Sequence, residues 1–359
     1  MAKSLDEWIK KIEKREISLE DLDDLLGNAN LAALVRRLYL EKSFKISLTG
    51  IASSVIDFEA LKSLTRGTAI GAVQIPLYIL GPVSIEGGAV SGEAVFPLAL
   101  IDIDGLALLN DFIGLTKGGL KVFSEVKDVE IRSILIAKEG LHKWQTEESL
   151  KEKLPADGSF EKEFLKILEE KNVLVLKVRT SLLRLSAVLS EAEEVLTELC
   201  SKGYELMRHS YVFETRSAIE LPLDALIERK DIDITELKNY IERSLAIASR
   251  HMDVTSKLVT GFFTAIGLSS AKLSTGSRSA TISSQGLLSI AIEGSIVNID
   301  ERELKTSLRL PTQSETLSLI GITDATEKAM LRLAELASAL VAFGEIASLL
   351  LFIYGAKKR

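Results

Sequence analysis

Apolar residues recur at helical spacing over four stretches of the chain. Between Lys3 and Lys42, charged and apolar positions alternate with the three- and four-residue spacing of amphipathic helices. The same spacing returns at Ile103–Val122, at Asp233–Gly267 and at Ser314–Gly355. The pattern therefore predicts an N-terminal helical segment over residues 1–45, and further helices in the middle and at the end of the chain.

Between the helical stretches the pattern changes to one that is typical of strands. From Gly71 to Ile103, short runs of Val and Ile are punctuated by Gly-Pro and Gly-Gly pairs, which favour strands joined by turns. Val173–Arg179 is a strong strand candidate, and Ile131–Ala137 and Gly286–Ile299 have the length and the β-branched content of strands. The sequence therefore predicts a mixed α/β or α+β protein.

The order of these elements predicts a small domain inserted into a larger one. The strand at Val173–Arg179 is followed by a helix at Glu191–Lys202 and then by further strand-like sequence. At 359 residues, 47% of them hydrophobic, the chain is long enough for two cores. We therefore expect a small α/β domain at residues 132–210, inserted into a large domain made of residues 46–131 and 211–359.

The charge balance excludes one class of partner. The net charge is -7 and the pI is about 5.4, so no basic stripe is available to displace phosphate counterions, and we expect no nucleic-acid binding. The lone cysteine, Cys200, cannot form an internal disulfide, and Met1–Lys14 has no apolar signal core, so we expect a cytoplasmic protein. The scarcity of Gln and Asn beside many Glu, Lys and Ile is typical of thermophiles.

The most apolar stretch of the chain is Leu331–Tyr354, and Arg332, Glu335 and Glu345 interrupt it. A membrane-spanning helix needs about 20 consecutive, predominantly apolar residues with few or no charges. We therefore expect a buried helix there rather than a membrane span, and no association with a membrane.

Five further stretches stand out for their residue types and their order. They are Ile70–Leu77 with Gly81–Val83, Val122–Leu135, Ala265–Ala271 with Gly276–Thr281, Leu310–Gln313 with Gly321–Ile322, and Gly344–Gly355. In sequence and spacing they resemble the 3-hydroxy-3-methylglutaryl-coenzyme A (HMG-CoA) reductase family. On this resemblance the chain is identified as a divergent, archaeal-type member of that family.

The resemblance implies a fold and a reaction. Members of the family bind HMG-CoA in a large α/β domain and NADP(H) in an inserted, ferredoxin-like small domain, and their active site forms across a dimer interface. They reduce the thioester HMG-CoA to mevalonate, on the route to isoprenoids. We therefore expect an HMG-CoA reductase-like large domain with an inserted ferredoxin-like domain, and a dimer.

That reaction needs a cation over the carbonyl oxygen and a carboxylic acid that passes protons. By resemblance, the family's lysine falls on Thr215, whose hydroxyl carries no charge, and the adjacent Arg216 is a candidate replacement and substrate-binding residue. The family's glutamate falls on Asp104 if the following glycine is the anchor, or on Asp102 if the count starts at Pro97. Either aspartate is one methylene shorter than glutamate.

Three more functional positions of the family also differ. The aspartate that couples the acid to the lysine falls on Ser269, and the nearest carboxylates in sequence are far from it. The C-terminal histidine that protonates the departing thiolate is expected to be absent, because no residue matches it before Arg359. The nucleotide segment corresponds to Leu182–Val188, around Ser186, where both glycines are replaced. We therefore expect no cofactor, or NADP(H) if the protein is active.

Arg132 matches the family's arginine that contacts the HMG carboxylate, and an ion pair at a surface or interface is an equally supported interpretation. The histidines His142, His209 and His251 lie away from the expected site and are interpreted as ordinary surface or core residues. We expect no metal site.

Three functions are compatible with these positions. The favoured hypothesis is a catalytically inactive family member that forms a homodimer, or a heteromer with an active reductase, and binds a CoA thioester. The second is a divergent, active NADPH-dependent reductase, or another acyl-CoA enzyme, that uses Asp102, Asp104, Arg132 and Arg216. The third is a ligand-free structural scaffold. The apolar nucleotide segment favours the first and third hypotheses over the second.

Overall fold

The structure, a computed structural model, describes most of the chain. The described residues are 5–49, 75–101, 120–137, 173–223, 252–305 and 310–355, except 20, 28 and 285, together with 106, 109–111, 113, 235 and 239. Asp102 and Asp104, the candidate acids, lie outside the described residues.

The described residues form helices and strands in the mixed order that the sequence predicts. The helices are α1 Leu5–Glu13, α2 Leu22–Leu26, α3 Ala29–Phe44, α4 Leu185–Ser201, α5 Met252–Ala265, α6 Glu301–Lys305, α7 Pro311–Leu319 and α8 Glu327–Gly355. The strands are β1 Leu77–Glu86, β2 Ser91–Ala99, β3 Lys121–Ala137, β4 Val173–Ser181, β5 Tyr204–Pro222, β6 Lys272–Ser274, β7 Ser277–Ile282 and β8 Leu287–Asp300. The predicted fold class, a mixed α and β protein, is confirmed.

The strands join in one sheet with the order β2-β1-β3-β5-β8-β6, in which β4 also pairs with β3, and β7 also pairs with β8. The pairs are antiparallel except for a short parallel contact between β1 and β3. Strands β3 and β5, of 17 and 19 residues, pair with each other along nearly their whole length. They continue past Arg132 and Ser210, where we expect the small domain to begin and end, so the two parts of the sheet are continuous.

One face of the sheet carries the core. Alternate residues of β3, β5 and β8 are buried on that face, as expected for an antiparallel sheet with one solvated side. Helices α5 and α8 pack against one half of this face, where the rings of Phe262 and Phe343 lie 6.0 and 5.7 Å from that of Phe96. Helix α4 packs against β4 and β5 in the other half, with Val188 and Leu199 among its buried residues.

Helix α8 is the longest helix in the core of the described residues. It is long and apolar enough to cross a membrane, yet its apolar part, within Glu327–Leu351, is buried inside the protein. The predicted buried helix is therefore confirmed. The helix contacts β3, β5 and β8 and lies against α5. Its two buried carboxylates, Glu335 and Glu345, each have a specific partner.

Glu335 holds the turn that joins β1 to β2. Its side chain accepts hydrogen bonds from the backbone N–H groups of Gly88, Ala89 and Val90 at 3.1, 2.8 and 2.8 Å. The residue is 2% exposed, and burial raises the pKa of its carboxyl, while the backbone hydrogen bonds act in the opposite direction. Three peptide dipoles thus replace the water that the carboxylate loses.

The same turn requires a glycine. A Cβ atom at Gly87 would lie 2.6 Å from Oε2 of Glu335 and still closer to the backbone of Ser124. Ser124 in turn donates from its hydroxyl to the main-chain oxygen of Glu335 at 2.7 Å. Helix α8 is therefore fixed to both β3 and the β1–β2 turn at one point.

Glu345 forms a buried ion pair with Arg278 of β7. The distance from Nε to Oε1 is 3.0 Å, and the two side chains are 7% and 9% exposed. Burial raises the pKa of Glu345, and the arginine opposes that shift. Because β7 pairs with β8 through its backbone, this ion pair also attaches β7 to the C-terminal half of α8.

Replacing Glu335 with Gln is expected to destabilise the fold. One end of the amide is a donor that faces backbone donors, so at least one of the three hydrogen bonds is lost, at a cost of about 1–3 kcal/mol. Chemical denaturation monitored by circular dichroism measures the loss. Glu327→Gln in the first turn of the same helix is the matched control, with an expected change within about 0.5 kcal/mol. Equal effects of the two substitutions would contradict the role of Glu335.

The Arg278–Glu345 pair makes a second prediction. Arg278→Met alone leaves a buried carboxylate without its partner and is expected to cost about 3–5 kcal/mol, whereas Arg278→Met with Glu345→Leu removes both charges and costs much less. Denaturation of the single and double variants measures this difference. Arg15→Met, at the exposed pair between Arg15 and Glu93, is the control with an expected effect below about 1 kcal/mol. A double variant that is no more stable than Arg278→Met alone would refute the interpretation that the buried carboxylate depends on its partner.

Candidate functional site

Thr215, which the sequence resemblance aligns with the family's lysine, lies on β5. Its side chain is fully buried under the helices, and its hydroxyl donates to the main-chain oxygen of Ser295 on β8 at 3.2 Å. The bond satisfies the only proton that the side chain can donate. Thr215 is therefore a neutral, internally bonded residue of the sheet.

Arg216, the candidate replacement cation, points to the opposite face of the sheet, because successive residues of a strand alternate between faces. Its Nε lies 2.7 Å from Oε1 of Glu293, and its Nη1 lies 3.8 Å from Oε1 of Glu125. Its guanidinium lies 5.7 Å from the ring centre of Phe123. The structure therefore does not place this charge beside Thr215, and Arg216 belongs to an ion-pair cluster on the outer face.

Arg132 lies on the same outer face but in the other half of the sheet. Its guanidinium binds Glu130 at 2.6 Å, and the other oxygen of Glu130 lies 3.5 Å from Arg179. Along β3, Arg132 is seven residues beyond Glu125, the neighbour of Arg216. At about 3.3 Å per residue this is about 23 Å, so the two arginines do not share a site.

Ser269, which the sequence resemblance aligns with the family's aspartate, lies in the loop after α5. Its hydroxyl donates to Glu303 of α6 at 2.8 Å, and the N–H of Ser270 donates to the same carboxylate at 2.9 and 3.1 Å. A carboxylate thus reaches this loop from a distant part of the sequence. Sequence reasoning missed Glu303, because the chain returns to the loop only after it has traversed β8.

Two of the five distinctive stretches meet at the same loop. Gly267 has a φ of 75°, and a Cβ atom there would lie 2.7 Å from Cδ of Gln313, which is in the first turn of α7. The Oε1 atom of Gln313 accepts from the N–H of Leu310, and the hydroxyl of Thr316 donates to the main-chain oxygen of Ala265 at 2.7 Å. We call the Gly267–Ala271 loop with Glu303 and Gln313 the candidate site.

The nucleotide-like segment forms a short 3₁₀-helix, Leu182–Arg184, followed directly by α4. Leu183 is 98% exposed, Leu185 is buried in the core, and Ser186 is exposed in the first turn of α4. The segment lies between a strand and a helix N-terminus, which is an arrangement suited to phosphate groups. Its residues do not fit a pyrophosphate, however, because every position of the turn carries a large side chain where close backbone contact is needed.

The geometry limits the chemistry that the described residues offer. Thr215 and Ser269 each donate a hydroxyl proton to a different partner, the first in the sheet and the second at α6. Within the described ranges, no group of three His, Cys, Asp or Glu side chains could hold a metal ion. The candidate site therefore offers a carboxylate, an amide and hydroxyl groups, which suit hydrogen bonding to a polar ligand.

Comparison with known proteins identifies relatives for part of the chain. No protein-family model matches it. The HMG-CoA reductase of Aeropyrum pernix is 42% identical over 95 residues, which are 26% of this chain and 23% of that protein. The HMG-CoA reductase of Pyrococcus abyssi is 33% identical over 135 residues, which are 37% of this chain and 33% of that protein. The similar stretches thus span about a quarter to a third of the length of these reductases.

The fold extends the similarity to most of the chain. A class II HMG-CoA reductase from Streptococcus pneumoniae, solved bound to NADPH in open conformations, superposes with a TM-score of 0.52 at 14% identity. The superposition covers 88% of this chain and 86% of that chain. At this identity the likeness concerns the fold alone, and it agrees with the sequence similarity to the archaeal enzymes. The chain is thus similar in part of its sequence, and in the fold of most of its length, to HMG-CoA reductases.

Proposed function

We propose that this chain is a non-catalytic member of the HMG-CoA reductase family. In this proposal it binds a CoA thioester in the cytoplasm and acts as a homodimer, or as the partner of an active reductase, in the mevalonate route to isoprenoids. The observation that carries the proposal is the buried hydroxyl of Thr215, bonded to a main-chain oxygen where the family has its lysine. A neutral group in this state supplies no charge to a developing oxyanion.

Two neighbouring features support the proposal. The charge of Arg216 is directed to the other face of the sheet, where Glu293 binds it. The Leu182–Arg184 turn does not suit a dinucleotide, so no step of hydride transfer is assigned to these residues. The core around α8 is nevertheless continuous, since this helix packs against β3, β5, β8 and α5.

A second candidate function is an active, divergent NADPH-dependent reductase, or another acyl-CoA enzyme. Glu303 favours it, because its carboxylate contacts Ser269, at the position where the family has its aspartate. In an active enzyme this side chain would supply the carboxylate that the local sequence lacks, and Asp102 or Asp104 would supply the acid. The two candidates make opposite predictions for turnover.

Purified protein mixed with HMG-CoA and NADPH is expected to show no oxidation of the nicotinamide above the rate without enzyme. The physical reason is that Thr215 carries no positive charge that could stabilise the oxyanion. Absorbance of NADPH, read beside an active class II reductase as a positive control, measures the rate. Turnover that Glu303→Gln and Asp104→Asn each abolish would overturn the non-catalytic proposal and establish the second candidate.

Binding of the thioester is a separate prediction. Calorimetric titration with HMG-CoA is expected to give a saturable heat of binding. Arg132→Met is expected to raise Kd about tenfold or more, because a charge-assisted hydrogen bond to the HMG carboxylate is lost. Arg179→Met is the matched control, because it removes the other arginine at Glu130, and its expected effect is less than about twofold.

The outcomes separate the remaining alternatives. Equal weakening by the two arginine variants would assign Arg132 to an ion-pair role and refute its contact with the ligand. The absence of any heat with HMG-CoA and with free CoA would refute thioester binding and leave the ligand-free scaffold.

A further inference from the structure

His209 is a buried histidine at the junction of α4, α6 and the two long strands. Its Nδ1 atom lies 2.9 Å from the hydroxyl of Ser133 on β3, and both residues are buried. Its ring makes an edge-to-face contact with Tyr211, with ring centres 5.3 Å apart. The histidine is therefore part of the packing between the half of the sheet that carries α4 and the elements that follow β8.

Several charged groups face this ring. Glu301 and Lys305 approach it from α6, Glu193 from α4 and Asp300 from the end of β8. Burial lowers the pKa of His209 below its ordinary value of 6.5, and Glu301 provides the largest opposing contribution. The ring is neutral in the folded protein near neutral pH, and Glu301 is the carboxylate best placed to attract its charged form.

Glu301 has other partners while the histidine is neutral. Its Oε1 atom accepts from the Tyr211 hydroxyl at 3.4 Å and lies 2.7 Å from Nζ of Lys305. Burial and the carboxylate raise the pKa of Tyr211, so the phenol stays protonated and keeps its role as donor. Glu301 therefore connects the histidine and tyrosine of β5 to the first turn of α6.

Helix α6 connects this cluster to the candidate site. It is only five residues long, and Asp300 caps its first turn by accepting from the N–H of Arg302 at 3.0 Å. Two residues after Glu301, Glu303 holds the hydroxyl of Ser269 and the N–H of Ser270. A short helix with one carboxylate in each cluster cannot shift at one end without moving the other.

We propose that His209 is a proton-operated switch that controls how firmly α6 holds the Gly267–Ala271 loop. When the ring is charged, Glu301 leaves Tyr211 and Lys305 for the imidazolium, α6 shifts, and Glu303 withdraws from Ser269 and Ser270. When the ring is neutral, the loop is held as the structure shows it. The switch concerns the fold and does not depend on thioester binding.

The direction of the pH dependence follows from the lowered pKa. Above the unfolded-state pKa, both the folded and the unfolded chains carry a neutral His209, and the group has no effect on stability. As the pH falls below that value, the unfolded chain binds a proton first, so stability is lost until the folded ring is charged as well. The loop is therefore expected to loosen only on the acid side of the histidine's ordinary pKa.

Hydrogen exchange measured by mass spectrometry tests the switch in the full-length protein. Between about pH 7.5 and about pH 5, a range that extends to the acid side of an ordinary histidine pKa, where the lowered pKa of His209 lies, the protection factor of the peptide covering the loop is expected to fall about tenfold after correction for intrinsic exchange. In His209→Asn, whose amide can replace Nδ1 in the bond to Ser133, the fall is expected to disappear. An equal fall in this variant would overturn the proposal.

A second pair of measurements keeps the test decisive if His209→Asn fails to fold. Glu301→Gln leaves His209 in place and removes its attracting carboxylate, so the loop response is expected to vanish. In a His142→Asn, His251→Asn background, His209 is the single histidine, and NMR of its Cε1 proton reports its titration. A pKa at or above the ordinary value, or loop loosening that does not follow this titration, would refute the switch.

Discussion

The carboxylate of Glu335 can stay inside the core because three backbone N–H groups take the place of water around it. That arrangement fixes helix α8 over the sheet and at the same time fixes the turn between β1 and β2. The ion pair of Glu345 with Arg278 attaches β7 to the C-terminal half of the same helix. Apolar packing already resists a shift of this helix over the sheet, and the two buried charges add to that resistance, because any displacement leaves a charge without its partner.

The sequence predicts these elements well where one spacing persists, and poorly where a bulge changes it. In β3, alternate residues face the core up to Val126, and the register then shifts before Asp128, so that Val129 and Ile131 face it next. The bulge breaks the two-residue alternation, and for this reason the pattern indicates only Ile131–Ala137 as a strand. In β8 the pattern also shifts, at Gly294, whose φ of 72° is one that glycine adopts without strain.

Parts of the candidate site follow from the sequence, and parts do not. That Thr215 and Arg216 point apart follows from strand geometry alone. The carboxylate at Ser269 does not follow, because Glu303 reaches the loop only through the path of β8 and the short helix α6. Long-range contacts of this kind depend on how the chain returns on itself, and no local pattern encodes that. Both Asp102 and Asp104 lie outside the described residues. The choice between them as the match to the family's glutamate therefore stays as the sequence leaves it.

The positions that hold the fold are separate from those that resemble the family's catalytic residues. Stability rests on the α8 contacts with β3 and β7, whereas Thr215 and Ser269 satisfy their own hydroxyl groups through Ser295 and Glu303. The buried hydroxyl of Thr215 is bonded within the sheet, and the hydroxyl of Ser269 is bonded at the surface, so neither donor lacks an acceptor. A chain under these physical constraints can change the charge of its site while its architecture stays the same. Retention of a reductase fold is therefore no argument for retention of the reductase reaction, and the two have to be measured independently.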